Sequence, residues 1–585
     1  MYGFHGKTLH IDLSERTIWE EELSDDILRE TLGGKGLAAH LLRTHLPAGV
    51  EPLAPENLLV FATGPASDTA IPAASRFGVY AKSPLTGLFG ESYSGGHVAP
   101  MMKRTGYDAI VIGGAATGPT YLSITDEGVE FRDAADLWGE TTDVAEEALL
   151  ERAGIDGGQA LVIGPAGENL VAFACIKNNR WRSAGRNGMG AVMGSKGLKG
   201  LVFGGSTRAE LADEAGLREY VREMVAECRD TKRTNLMRTY GTPYMVATTN
   251  AAHAFPSRYW AQGSLENWEG ISAREMHRVM DVKPKACRGC FMACGKLSTV
   301  KSGRHRGLTI EGPEYETIYA LGGICCVDRI EEVAYLNDIC DKLGLDTISG
   351  GNMAGLAIEA GMRGKVEEAP SYGDVDGIAR LFEDIAHRRG IGDLLARGVR
   401  EVARELGLED LAVHVKGQEP AGYDPRTLRG MSLGYAVSSR GACHLRSSYY
   451  MQELDHQAPE DLLEKTADFL HFESRNALED CLILCRFYQK FIGWDGMARI
   501  LAVTTGMQLD EREMKALAMG ATTAVKRFNL REGWSRADDA LPARLFEEPV
   551  GPEGEFVADR EELEVMLREY YRLHGWDAQG VPSGE

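Results

Sequence analysis

The sequence predicts an α+β fold: a β-rich region over residues 1–207, then two mainly helical domains over 208–413 and 414–585. Two observations carry this. Short apolar runs ending in glycine or a turn recur in the first region, where many of the 69 glycines lie. Near residue 208 the spacing of apolar residues changes from short runs to a helical period. The 585 residues exceed what one hydrophobic core accommodates, so roughly two to four domains are expected.

In chain order, the runs at 58–61, 109–112 and 160–163 fit buried strands entering turns. Leu217, Val221, Met224, Val225 and Cys228 then fall on one helical stripe, which makes Cys228 a core residue. Helical patterns continue to a last stripe of Leu563, Met566, Leu567 and Tyr570. Composition shifts mark boundaries near 204–206, 411–416 and 549–554, no repeat is visible, and the polar tail after Trp576 is expected to fray.

Composition narrows the function classes. Hydrophobic content of 44% with 26% charged residues is that of a soluble globular protein. A net charge of −22 disfavours nucleic acid or an anionic membrane as partner. No apolar run reaches the roughly 18 residues a membrane helix needs. The opening lacks a basic stretch followed by an apolar one, so a cytoplasmic protein is expected. Eleven cysteines, an odd number, suit thiols or metal ligands in a reducing compartment better than a disulfide framework.

Cys287, Cys290 and Cys294 form a Cys-x-x-Cys-x-x-x-Cys run, and Cys485 follows far along the chain. Three thiolates on one loop can share an inorganic cluster, and a remote fourth completes a four-cysteine shell. A cubane cluster moves one electron at a time, which points to redox chemistry. Structural zinc is the competing reading, but it commonly uses two Cys-x-x-Cys pairs, and the second pair is missing. Radical enzymes carry the reverse spacing, and many molybdopterin enzymes carry this spacing near the N-terminus with a close fourth cysteine. Cys325, Cys326, Cys340, Cys443 and Cys481 read mostly as buried small residues.

A second feature is glycine-rich. Residues 185–197 hold five glycines, with Arg182, Arg186 and Lys196 in or beside them. Glycine lets backbone N–H groups approach an anion, and the cations neutralise it. The order Gly-Ser-Lys is not a phosphate-binding Walker loop, and Gly194 comes one residue late for a dinucleotide fingerprint. A plain set of turns is the alternative. Glu311, Glu314 and Glu316 precede an apolar run at 318–324. They read either as an acidic helix start or as a source of a buried, proton-carrying glutamate.

Several segments together resemble the aldehyde ferredoxin oxidoreductase family of tungsten-pterin enzymes, from the N-terminus to Tyr570-Tyr-Arg-Leu-His-Gly-Trp-Asp577. They are Gly6-Lys-Thr-Leu-His-Ile-Asp-Leu13, Ser75-Arg-Phe-Gly78, Lys82-Ser-Pro-Leu-Thr-Gly87, Glu91-Ser-Tyr-Ser-Gly-Gly96 and the stretch from Arg182 to Lys196. The resemblance implies that the N-terminal region is a pterin-binding base and that the cluster is 4Fe-4S. It implies tungsten, or molybdenum, held by two pterins whose phosphates a magnesium ion bridges. Arg182, Ser183, Ala184, Gly185 and Arg186 would hold a pterin, with Gly95 and Tyr93 beside them. Tyr93 stands where the family has asparagine. Arg76 would sit between cluster and pterin.

The look-alike segments Asp341-Lys-Leu-Gly-Leu-Asp346 and Asp480-Cys-Leu-Ile-Leu-Cys485 would each hold one pterin. Asp341, Leu345 and Asp346 serve the first; Asp480 and Leu484 serve the second, and Cys485 ends it as cluster ligand. Two capped helix starts are the alternative reading. Ile483 departs from a glycine common at its position. Glu316, with Tyr315, would stand at the metal as general base, with Glu314 in reserve. In Arg440-Gly-Ala-Cys-His-Leu-Arg446, His444 would donate to the substrate oxygen and Arg440 would bind a pterin phosphate. Tyr423 would orient the substrate carbonyl. A dimer-contact metal seen in some members would fall on Asp384 and His387, where Tyr335 replaces an expected carboxylate.

The implied reaction is oxidation of an aldehyde to its acid, with electrons leaving singly to ferredoxin or an iron–sulfur subunit, in an oxygen-sensitive, anaerobic setting. A homodimer is an open expectation. Segment 282–310 holds seven Lys or Arg and no Asp or Glu, which offsets an anionic cluster, forms a solvated loop, or docks an acidic ferredoxin. Competing activities are a tungsten-dependent acyl-CoA or aromatic-ring reductase subunit and a non-enzymatic iron–sulfur carrier.

Overall fold

The computed structural model describes residues 1–583. Its first 203 residues build two six-stranded sheets. The first comprises β1 (Lys7–Asp12), β2 (Thr17–Glu22), β3 (Leu59–Ala62), β4 (Phe77–Lys82), β5 (Phe89–Ser94) and β6 (Ala109–Gly113), ordered β2-β1-β6-β3-β4-β5. The second comprises β7 (Thr120–Thr125), β8 (Gly128–Asp133), β9 (Gln159–Val162), β10 (Ile176–Asn178), β11 (Arg182–Ala184) and β12 (Leu198–Phe203), ordered β11-β10-β9-β12-β7-β8. The three apolar runs singled out in the sequence are β3, β6 and β9. β4 is buried at every residue. One of its faces joins Phe61, Ile110, Leu161 and Leu201 in a core shared by both sheets. The other lies under helix Gly34–His45, through Leu37, Leu41 and Tyr80. A strand covered on both sides reads as a continuous run, not as an alternation.

From Glu214 the chain is mainly helical. Helix Glu214–Cys228 buries Leu217, Met224 and Cys228 of the expected stripe together with Tyr220, while Val221 and Val225 are only half-buried. One departure is a three-stranded antiparallel sheet, β13 (Met280–Lys285), β14 (Gly295–Val300) and β15 (Thr309–Glu311), inside the region expected to be helical. β13 alternates Met280, Val282 and Pro284 with Asp281, Lys283 and Lys285, but a proline and two lysines in six residues mask so short a strand on an exposed edge. Another is the run Ile318–Gly323, which is a π-helical turn following the single turn Tyr315–Thr317. Such turns recur at functional sites.

A large core extends through the helices Ile330–Leu343, Thr347–Met362, Val375–Ala386, Arg429–Val437 and Arg560–His574. A separate core joins the N-terminal segment at Ala66, Ile71 and Ala73 to Leu217, Met224, Leu482, Tyr488 and Ile500. That second core brings residues before 80 against residues near 485. Among the described residues, no helix is long and apolar enough to cross a membrane.

Candidate active site

The register of β13 and β14 pairs Lys285 with Gly295 and thereby closes the base of the loop carrying Cys287, Cys290 and Cys294. Buried Lys296 ties that base down, its ammonium donating to the carbonyls of Met237, Ala293, Cys294 and Gly295. From the other side, the Cys485 amide donates to the Ala73 carbonyl at 3.0 Å. The four cysteines then line one cavity of about 300 Å³. Two guanidiniums face it. Arg76 Nη1 lies 4.0 Å from Cys485 Sγ, and its Nη2 donates to the Tyr93 carbonyl at 3.3 Å. Arg182 Nη1 donates to Cys287 Sγ at 3.0 Å and Nη2 to Glu311. Tyr488 Oη is 3.1 Å from Cys290 Sγ. Gly95 lines the same cavity, where an added Cβ would come within 3.0 Å of Cys287 Sγ.

Asp341 and Asp480 occupy equivalent places, each in the last turn of a helix: Ile330–Leu343 and Leu462–Leu482. The capped-start reading therefore fails for both; of the acids in these segments, only Asp346 caps a helix, accepting from the Ile348 amide. A carboxylate at a helix C-terminus opposes the macrodipole, so it needs other partners. Asp341 has buried Lys177 at 2.5 Å and Asn337 at 3.0 Å. Burial still raises its pKa to about 6 against the pull of Lys177. Asp480 has Arg446 at 2.7 Å and Arg486 at 2.6 Å. Each helix is followed by a residue in the left-handed region, Gly344 at φ +78° and Ile483 at φ +56°. Ile483 thus keeps the backbone shape a glycine would adopt. Leu345 and Leu484 follow, with Leu345 bridged to Ala174 and the Leu484 amide donating to Glu479.

The pocket wall beyond Asp480 is an ion network that the sequence did not suggest. Glu91 on β5 takes Arg446 at 2.7 Å, Lys35 at 3.2 Å and the Tyr93 phenol at 2.6 Å. Burial opposes ionisation of Glu91, but Arg446 and Lys35 hold its pKa well below the usual range. The Tyr93 side chain is therefore turned to Glu91, while its carbonyl faces Arg76. Arg440 donates to the Glu91 carbonyl and, at 2.9 Å, to Cys443 Sγ. Arg186 has Asp346 at 3.0 Å and Glu419 at 3.7 Å.

Glu316 and His444 meet across the two helical regions, His444 Nε2 lying 3.3 Å from Glu316 Oε1. The Gly422 amide donates to Glu316 Oε2 at 3.0 Å. Burial pushes the Glu316 pKa up to about 8. Burial, then Arg440 and Arg186, drives that of His444 well below its usual value, so the imidazole is neutral. Tyr423 stacks on Tyr450 at 3.8 Å, with Tyr315 and His444 each 5.3 Å away. The Tyr315 phenol donates to the Gly422 carbonyl and so positions the 421–423 segment. Glu314 lies on the other side of this turn: it lines the cysteine cavity and accepts from Thr242.

Other residues fall elsewhere than the sequence suggested. Arg182 reaches the cysteines and not an open anion site. Ser183 accepts from Lys177 at 2.7 Å, and Ala184 is buried on β11. Lys196 is buried and donates to the carbonyls of Pro55, Asn57 and Gly114, so it holds loops together. Three glycines of that stretch are close-packing positions: a Cβ on Gly188, Gly190 or Gly194 would come within 2.1, 2.5 or 1.9 Å of a backbone oxygen. Gly185 has room around it and lines the cavity. Asp384 pairs with Arg389 at 3.1 Å, His387 with Glu383 at 3.5 Å, and Tyr335 stacks on His305. Lys177, Glu91, Arg446, Arg486 and Tyr450 were given no role; Glu91 and Arg446 stand at the ends of two quoted segments, which was the signal available for them.

The chain is similar to known proteins along nearly its whole length. The pattern described as aldehyde ferredoxin oxidoreductase, N-terminal domain, matches residues 8–205, and that described as its domains 2 and 3 matches residues 219–585. A tungsten-containing aldehyde ferredoxin oxidoreductase of Pyrococcus abyssi is 36% identical, over 99% of this chain and 97% of that protein. The Pyrococcus furiosus protein of that name is 35% identical over the same shares. An aliphatic sulfonate oxidoreductase, WOR-like subunit, of P. furiosus is 29% identical over 100% of this chain and 96% of that one. The fold is also that of the active site complex BamBC of Benzoyl Coenzyme A reductase in complex with 1,5 Dienoyl-CoA, with a TM-score of 0.84, 23% identity, and coverage of 99% of this chain and 96% of that one. Matched through both its β-rich and helical regions, and more than a third identical to a full-length member, the chain belongs to the aldehyde ferredoxin oxidoreductase family.

Proposed function

We propose that the protein oxidises an aldehyde to its carboxylic acid at a tungsten-bis-pterin centre and releases the electrons singly through a 4Fe-4S cluster to ferredoxin or a similar acceptor. The observation that carries this is the convergence of Cys287, Cys290, Cys294 and Cys485 on one cavity with Arg76, Arg182 and Asp341. The donor set fits the groups. Four sulfurs converging from two segments on one cavity suit an iron–sulfur cluster. Buried Arg440 Nε and Arg446 Nε lack hydrogen-bond partners among the described residues, as donors awaiting an anionic ligand would. Asp341 and Asp480 would accept from pterin N–H groups, Gly95, Gly185, Arg186 and Arg440 would hold the phosphate ends, and the Tyr93 carbonyl is the ligand offered to a bridging magnesium. When bound, the tungsten-pterin group supplies two-electron redox chemistry and the cluster a one-electron exit.

The chain's own contribution is positioning and proton handling. Oxidation of an aldehyde by water yields the acid, two electrons and two protons. With a pKa of about 8, Glu316 is mostly protonated at neutral pH, and it takes one of those protons in its ionised form, whose share grows as pH rises toward 8. Neutral His444 would donate from Nε2 to the developing charge on the substrate oxygen. The Tyr423–Tyr450 stack would orient the carbonyl and leave room for the water that supplies the second oxygen. Protein purified without oxygen is expected to contain tungsten or molybdenum with about four irons. It should reduce a low-potential dye with simple aldehydes. Iron without the heavier metal would favour an electron carrier; both metals without aldehyde activity would favour a reductase.

A further inference from the structure

Away from this site, three metal-binding side chains converge at the outer edge of the first sheet. His10 lies on β1, Glu21 on β2, and His45 ends the helix Gly34–His45. The register sets His10 opposite Trp19 and Thr8 opposite Glu21, so His10, Trp19 and Glu21 share one face. The Trp19 ring stacks on His10 at 4.9 Å and fixes the imidazole plane. His10 Nε2 is 2.7 Å, and His45 Nε2 3.0 Å, from the same oxygen, Glu21 Oε2. One ligand atom from each residue fits within a 4.8 Å cluster. His10 is buried, whereas the Glu21 and His45 side chains are 34% and 32% exposed, so the cluster opens to solvent on one side.

We propose that His10, Glu21 and His45 bind a divalent transition-metal ion, Zn²⁺ by preference, with water in the fourth position. Tetrahedral bonds of about 2.0–2.2 Å set ligand atoms roughly 3.3–3.6 Å apart, so Glu21 Oε2 would recede from each imidazole by only about half an ångström. β2 is an almost wholly exposed edge strand that pairs only with β1, and the ion would fasten it to the helix.

Cobalt(II) is the probe, added to chelator-treated holoprotein whose cysteines already carry iron. Wild type should take up one equivalent with the visible absorption of a tetrahedral site, and Zn²⁺ should displace it. His45→Ala and Glu21→Gln, both at partly exposed positions, should weaken binding at least about tenfold. In hydrogen exchange, Zn²⁺ should slow the β2 amides in wild type and not in His45→Ala. Equal cobalt uptake by wild type and both variants, or no uptake by wild type, would overturn the site.

Discussion

A carboxyl that titrates near 8 inside an enzyme leaves two separate marks on pH dependence. If the Glu316 carboxylate accepts the proton, kcat/KM should rise with pH through a midpoint near 8. Glu316→Gln should lose that limb and about 10²–10⁴-fold in rate while keeping its iron and tungsten. The stability sign is opposite. The native carboxyl stays protonated up to about 8, whereas the unfolded one ionises near 4.5. Its contribution is therefore fully present below 4.5 and lost as pH rises to 8, a slope the glutamine variant should lack. Arg182 offers a second test at this scale. Its guanidinium lies 3.0 Å from Cys287 Sγ, so Arg182→Gln removes a positive charge beside an anionic cluster. The cluster's midpoint potential should fall by on the order of 100 mV in an electron paramagnetic resonance titration. These residues also mark where sequence reading ends. Cysteine spacing carries its own chemistry and was legible; the direction an arginine or lysine side chain takes is set by packing. Arg182 and Lys196 therefore both looked like phosphate ligands, whereas Arg182 turns to Cys287 and Glu311 at the cysteine cavity and Lys196 to backbone carbonyls.

The pair of helix ends shows what an element can impose on its sequence. In one copy, helix Ile330–Leu343 ends at Gly344, and in the other, helix Leu462–Leu482 ends at Ile483, both with positive φ. A β-branched residue there is strained, by roughly 1–2 kcal/mol. Burial of Ile483 opposes that strain, and Gly34 makes room: a Cβ on Gly34 would meet Ile483 Cδ1 at 2.7 Å. The strain and the packing can be separated. Ile483→Ala keeps the strained backbone and loses most of the packing, while Ile483→Gly loses both. The glycine variant should be more stable than the alanine variant by about 1 kcal/mol, the reverse of the order inside a helix. A thermal midpoint roughly 1–2 °C higher for glycine would register this. The twin aspartates were readable as a repeated motif. Their position at helix C-termini was not, because the partners that make an acid tolerable there, Lys177, Arg446 and Arg486, come from other parts of the chain. The β13–β15 sheet escaped notice because its first strand is a short, exposed alternation interrupted by Pro284 and its last is three residues long, so only pairing across the cysteine loop reveals it.

At the scale of the molecule, the basic segment 282–310 separates into two ends. β13 and β14 run antiparallel, so Lys283, Lys285 and Arg288 sit by the cysteine loop, while Lys301, Arg304 and Arg306 lie at the far end, about 16 Å away. Much of the charge is met by acids from other segments. Lys285 pairs with Glu311, Arg288 with Asp68, and Arg304 with both Glu332 and Asp376. The stretch that looked uncompensated in sequence is therefore largely neutralised in the fold. Lys283 and Arg288 keep side chains 69% and 43% exposed, and Gly289 forms the open tip of the cysteine loop between them and Cys290. An acidic carrier approaching a chain of charge −22 would be repelled except at such a spot, which lies beside the half-buried Cys287 and Cys290. Reversing Lys283 and Arg288 to glutamate should slow ferredoxin reduction about tenfold at low salt, with the difference shrinking as salt rises. Reversing Arg306 at the far end should do little, and neither change should slow reduction of a small uncharged dye. Equal slowing by both ends would place the acceptor elsewhere, because only a contact at the cluster edge makes the two ends of one hairpin unequal.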